Sequence, residues 1–113
     1  MKTASLYKDL EYHKTKPLIN VLLDTPFTKE IRISMQKGVL MKKHKTAFPI
    51  VVNVVEGAID FGVQETSSEM KKGDLIALES DIYHDLKAIE DSIVRLTLTK
   101  YDNTDRVKNV VDN

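Results

Sequence analysis

The stretch Ile50–Gln64, IVVNVVEGAIDFGVQ, decides the fold class. From Ile50 to Val55 it is apolar at every position except Asn53, and such a run reads as a strand buried on both faces. Glu56-Gly57 then marks a tight turn. Beyond it Ile59, Phe61 and Val63 alternate with Asp60 and Gly62, so the three apolar side chains share one face of a second strand.

The same grammar extends in both directions. Upstream, KPLINVLLD is rich in Leu, Ile and Val and stops at Asp24-Thr25-Pro26. EIRISMQKG follows, with Ile31, Ile33 and Met35 alternating against Arg32, Ser34 and Gln36, a half-buried strand ended by Lys37-Gly38. VLMKKHKTAF leads into the decisive stretch. Downstream, ETSSEMKKGD reads as a loop with at most a short edge strand. DLIALES, YHDLKAI and SIVRLTLTK complete the series. In the last, Val94, Leu96 and Leu98 face one way and Ile93, Arg95 and Thr97 the other. The total is about eight or nine short strands with turn signals roughly every 8–12 residues, the pattern of an antiparallel sandwich or barrel. Residues 1–16 are polar with weak periodicity, compatible with a short helix or an edge strand. The tail from residue 100 is polar and suits fraying or packing on a partner.

With 113 residues the chain holds one domain: a barrel core over 17–99, an arm over 1–16 and a tail over 100–113. Its 17 basic residues balance 17 acidic ones, so the net charge gives no reason to expect nucleic acid or an anionic membrane as partner. A balanced charge offers little repulsion against self-association. The absence of cysteine removes disulfides, thiolate metal sites and cysteine nucleophiles. No apolar run approaches the ~20 residues of a membrane span and the start lacks a secretory core, so the expected location is the cytoplasm.

Two spacings carry a family resemblance. Gly38, five residues, then His44, with Val54-Val55-Glu56-Gly57 closing the motif, matches the first cupin motif. Gly73-Asp74, a short strand over Leu75–Glu79, then His84, matches the second. Over about residues 30–99 the chain therefore resembles the cupin superfamily. The resemblance implies an all-β, antiparallel double-stranded β-helix, or jelly-roll barrel, and a homodimer. It also implies a site in which three His and one Glu hold divalent iron, manganese, nickel or zinc. This sequence departs from that set. Thr46 stands where the second His belongs, Pro49 or Ile50 where the Glu belongs, and Ser80 replaces the usual Pro. His44 and His84 alone remain as metal ligands, and two neutral imidazoles hold a divalent ion poorly. No cofactor is assigned with certainty, and a divalent metal stays open.

The candidate pocket comprises His44, Thr46, Asn53, His84 and Arg95. The two histidines are expected to face each other inside the barrel. Thr46 lies two residues after His44, on the same strand face. Asn53 interrupts an apolar run, where an unpaired amide costs roughly 1–3 kcal/mol, and cupin register points it inward. Arg95 needs a carboxylate, an anionic ligand or open solvent. Tyr83 is expected outside the pocket, Phe48 and Pro49 near its mouth, and Lys42, Lys43 and Lys45 along a solvated edge. No nucleophile elbow, phosphate loop or HExxH motif is present. The leading expectation is a binding module for a small polar or anionic molecule. The alternative is a metal-dependent dioxygenase or isomerase that draws extra ligands from water, substrate, Gln36 or Gln64.

Overall fold

The computed structural model describes residues 1–100; the tail expectation, apart from Lys100, lies outside the described residues. Nine strands follow in order: β1 Leu18–Asp24, β2 Thr28–Met35, β3 Leu40–His44, β4 Ile50–Glu56, β5 Ala58–Val63, β6 Thr66–Lys71, β7 Leu75–Leu78, β8 His84–Ala88 and β9 Ser92–Thr99. All pairings are antiparallel. They form a five-stranded sheet, β1-β2-β9-β4-β7, and a four-stranded sheet, β3-β8-β5-β6. The two sheets close on one interior, the jelly-roll arrangement expected from the alternation. Among the described residues no helix is long and apolar enough to cross a membrane.

Local chemistry sets the corners. Gly57 turns β4 into β5 with φ +86, and a Cβ there would lie 2.4 Å from the carbonyl oxygen of Asp91, so only glycine suits the position. Ser92 braces the same corner: its hydroxyl accepts from the Ala58 amide at 3.1 Å and lies 2.8 Å from the Glu90 carbonyl. The stretch 66–71 exceeds the expectation of a loop with at most a short edge strand. It forms a full edge strand of six residues because β5 supplies a continuous ladder from Ala58–Lys71 to Val63–Thr66.

Inward residues alternate as period two demands. Met35, Val39, Val54, Ile59 and Ala88 fill one end of the barrel. Ile50, Val52 and Val54 of β4 point in and are buried, while Val51, Asn53 and Val55 on the outer face are half-buried. The β4 run is thus less deeply buried outside than its composition implies.

Both faces of β2 are buried, which its alternation did not indicate. The cause is the arm. Residues 1–16 form neither a helix nor an edge strand; they cross the outer face of the large sheet as an irregular strap. Arg32 donates to the carbonyls of Leu6 at 3.1 Å and Lys8 at 2.9 Å, and Ser34 donates to the carbonyl of Glu11 at 2.7 Å. Asp9, in the left-handed region at φ 55, bends the arm around the guanidinium. Tyr7 Oη donates to Glu56 at 2.8 Å and fastens the strap to the end of β4.

Candidate functional site

The end of the barrel away from Met35 and Ile59 is hollow. A cavity of about 440 Å³ opens there, within the range of small-molecule sites. Its floor is apolar: Ile31 and Ile33 from β2, Val52 from β4, Leu86 from β8 and Val94 from β9. Leu96, Leu98 and Met41 extend the walls, and the exposed Ile19, Lys42 and Lys43 stand at the mouth. The polar exceptions inside are His44, His84 and Thr46.

His44 ends β3 and His84 begins β8, and the two are direct partners across the ladder. A register shift between Met41 and His44 sets this pairing. The imidazole rings meet edge to face, 4.3 Å between centroids. Phe61 stacks on the far side of His84 at 5.8 Å. Each ring is held by its own strand in the same way. His44 Nδ1 lies 2.6 Å from the carbonyl of Lys42, and His84 Nδ1 lies 2.9 Å from the carbonyl of Ile82. A carbonyl oxygen has no proton to give, so both Nδ1 atoms are the donors. In the neutral rings both Nε2 atoms are then acceptors. Burial lowers the pKa of His84 below its ordinary value, and His44 adds to that effect; the Ile82 carbonyl and Asp85 oppose it. Thr46 turns its hydroxyl to the carbonyl of Phe48 at 2.7 Å, so its proton is already used.

Two of the five candidate pocket residues lie elsewhere. Asn53 faces outward, and its amide donates to the carbonyls of Asp74 at 3.2 Å and Val54 at 3.3 Å. The inward places on β4 belong to Val52 and Val54, and a one-residue offset reverses the face. Arg95 also faces outward. It forms a bidentate pair with Glu30 at 3.1 and 3.2 Å, and Thr97 donates to the same carboxylate at 2.7 Å. The Glu30 bond raises the pKa of Arg95, with burial opposing. Phe48 and Pro49 do not line the cavity, nor do Gln36 and Gln64. Tyr83 stands outside it, with the ammonium groups of Lys45 and Lys43 at 5.1 and 5.6 Å from its ring.

The lining contributed by Ile19, Met41 and Leu86 escapes a sequence reading because aliphatic side chains read as core whether they face a neighbour or a void. The shared face of Val94, Leu96 and Leu98 was the available signal.

No family profile matches the sequence, and no curated protein does. Solved structures do match. An RmlC-like cupin from Desulfovibrio desulfuricans superposes with a TM-score of 0.80 at 16% identity, covering 88% of this chain and 96% of that one. The chain has the cupin fold. A conserved double-stranded β-helix protein from Klebsiella pneumoniae gives 0.78 at 13% identity, over 91% and 92% of the two chains. KdgF from Halomonas sp. gives 0.67 at 19%, over 76% and 81%. In this cupin barrel the donor set does not fit a resident divalent metal. The cavity wall offers two imidazoles and no carboxylate, and among the described residues no three His, Asp or Glu side chains converge.

Proposed function

We propose that this cupin barrel is a small-molecule-binding protein whose ligand occupies the cavity beside His44 and His84. The observation that carries the reading is a preformed chamber of about 440 Å³ with apolar walls and a single polar corner. The ligand matches the walls and is chiefly apolar, rather than the polar or anionic molecule expected from sequence. With no cysteine to oxidise, a reducing cytoplasm suits the chain.

The reading is tested by thermal-shift measurement on chelator-treated protein with a set of one- and two-ring aromatic compounds. A ligand at 100 times its Kd adds about 2.7 kcal/mol to stability, a shift of several degrees. The same compounds should not stabilise Val94→Phe, whose added ring enters the cavity. No stabilisation by any compound would overturn the reading.

A second reading concerns assembly. Among the described residues strand β1 pairs with β2 alone, and its LINVLLD sequence carries no Lys or Pro to blunt the other edge. Ile19 and Val21 on its inner face are both more than half exposed. We infer a homodimer formed through this edge. Light scattering should give twice the 12.9 kDa chain mass, and Val21→Pro should return it to one. A monomeric parent protein removes this reading and leaves the first intact.

A further inference from the structure

The polar corner of the cavity narrows the ligand class, on the assumption that the cavity is the ligand site. Both imidazoles spend their Nδ1 protons on carbonyls of their own strands, those of Lys42 and Ile82. Each neutral ring has one proton, so each Nε2 carries a free lone pair. Neither Nε2 has a protein partner among the described residues, and the Thr46 hydroxyl on the wall donates to the Phe48 carbonyl. The two imidazoles on the wall therefore offer acceptors and no donor from their ring nitrogens. The nearest cations, Lys42 and Lys43, stand at the mouth and are exposed. A carboxylate placed at the histidines would meet lone pairs in an apolar chamber, which is unfavourable. A ligand that brings its own proton donor satisfies both the acceptors and the walls.

We propose that the cavity binds hydroxylated aromatic compounds of the phenol class, with the hydroxyl donating to Nε2 of His44 or His84 and the ring lying against Ile33, Val52 and Val94. The ring size follows from the volume. An engineered apolar cavity of about 150 Å³ accommodates benzene, so about 440 Å³ admits two fused rings. The two rings lie 4.3 Å apart between centroids, so a ligand hydroxyl at this corner has two imidazoles within its neighbourhood.

The probe pair is 2-naphthol and 2-methoxynaphthalene, nearly equal in shape but only one able to donate. Calorimetric titration is run at neutral pH with chelator present. Naphthol should bind about tenfold more tightly, the worth of one hydrogen bond of ~1.4 kcal/mol. Nitrogen-15 spectra should show the Nε2 resonance of His44 or His84 moving on naphthol addition and staying still with the methyl ether. His44→Phe combined with His84→Phe should remove the preference while leaving a cavity that still takes both compounds. Equal affinity for the two probes, with no Nε2 shift, would overturn the proposal yet leave the cavity as a ligand site. Binding of neither probe, together with no hit in the wider screen, would count against the cavity reading itself. Tighter binding of 2-naphthoate than of naphthol would replace the proposal with an anion site. Naphthol binding that appears only with added zinc would replace it with a metal site.

Discussion

Glu30 shows how one residue can settle the role of another. Its buried carboxylate takes both branches of the Arg95 fork and the Thr97 hydroxyl, on the outer face of the large sheet. The cluster is worth more to folding than a surface ion pair because Glu30 is desolvated, and its loss leaves the part-buried Arg95 and Thr97 donors without their acceptor. Glu30→Ala should lower the unfolding free energy by about 1–3 kcal/mol in urea titration. Arg95→Ala should cost less, since Thr97 still serves the carboxylate and the Arg95 side chain is 44% exposed. Neither change should alter ligand affinity, because the cluster lies across the sheet from the cavity. A loss of binding in Arg95→Ala with folding intact would place Arg95 back in the site. Sequence could say that Arg95 needed a partner; it could not say that Glu30 was opposite, because that pairing depends on the β2–β9 register.

At the scale of the element, the turns and the arm carry distinct predictions. Gly57 and Gly38 both have positive φ, but only Gly57 is enclosed, by the Asp91 carbonyl and Ser92. Gly38→Ala should cost about 1–2 kcal/mol, the left-handed penalty alone. Gly57→Ala adds a backbone clash and should exceed it clearly in the same urea assay. Equal losses would mean that the β4–β5 corner relaxes freely. The arm responds to pH through the Tyr7–Glu56 bond. That bond lowers the Glu56 pKa below its ordinary 4.5, so its contribution is present above that value and is lost as pH falls through the folded pKa. The same bond raises Tyr7 above 10.0, so the contribution holds below that value and fades as pH rises through the raised pKa. Protease cleavage within residues 1–16 should therefore be slowest at intermediate pH and rise at both extremes. Tyr7→Phe should flatten the profile, and an unchanged profile would show that Arg32 and Ser34 hold the strap without the Tyr7–Glu56 bond. The arm was not legible beforehand for a physical reason: it docks mainly through backbone carbonyls, which have no residue code.

For the whole molecule, the strands were legible because period-two alternation is imposed by burial, and burial is what the sequence encodes most directly. The hollow was not, since nothing distinguishes a Val facing Ile from a Val facing a void. That ambiguity has a consequence for stability. Tight packing at the Met35–Ile59 end and a cavity at the histidine end imply that the barrel gives up dispersion contacts to keep a chamber open. Filling it should recover them. Leu96 is half-buried on the cavity wall, and Leu96→Phe extends a ring inward at a place with room to receive it. A gain of about 1 kcal/mol would raise Tm by roughly 4–8 °C in a domain of this size. The same variant should lose naphthol binding, because ring and ligand compete for one volume. Stabilisation with affinity retained would move the ligand out of the cavity. Destabilisation would mean that the walls collapse on an ordered interior without the ligand, and that the open chamber is not the resting form of the barrel. A rise in Tm matched by a loss of affinity would tie both effects to one space, the trade of stability for function that a preformed binding site requires.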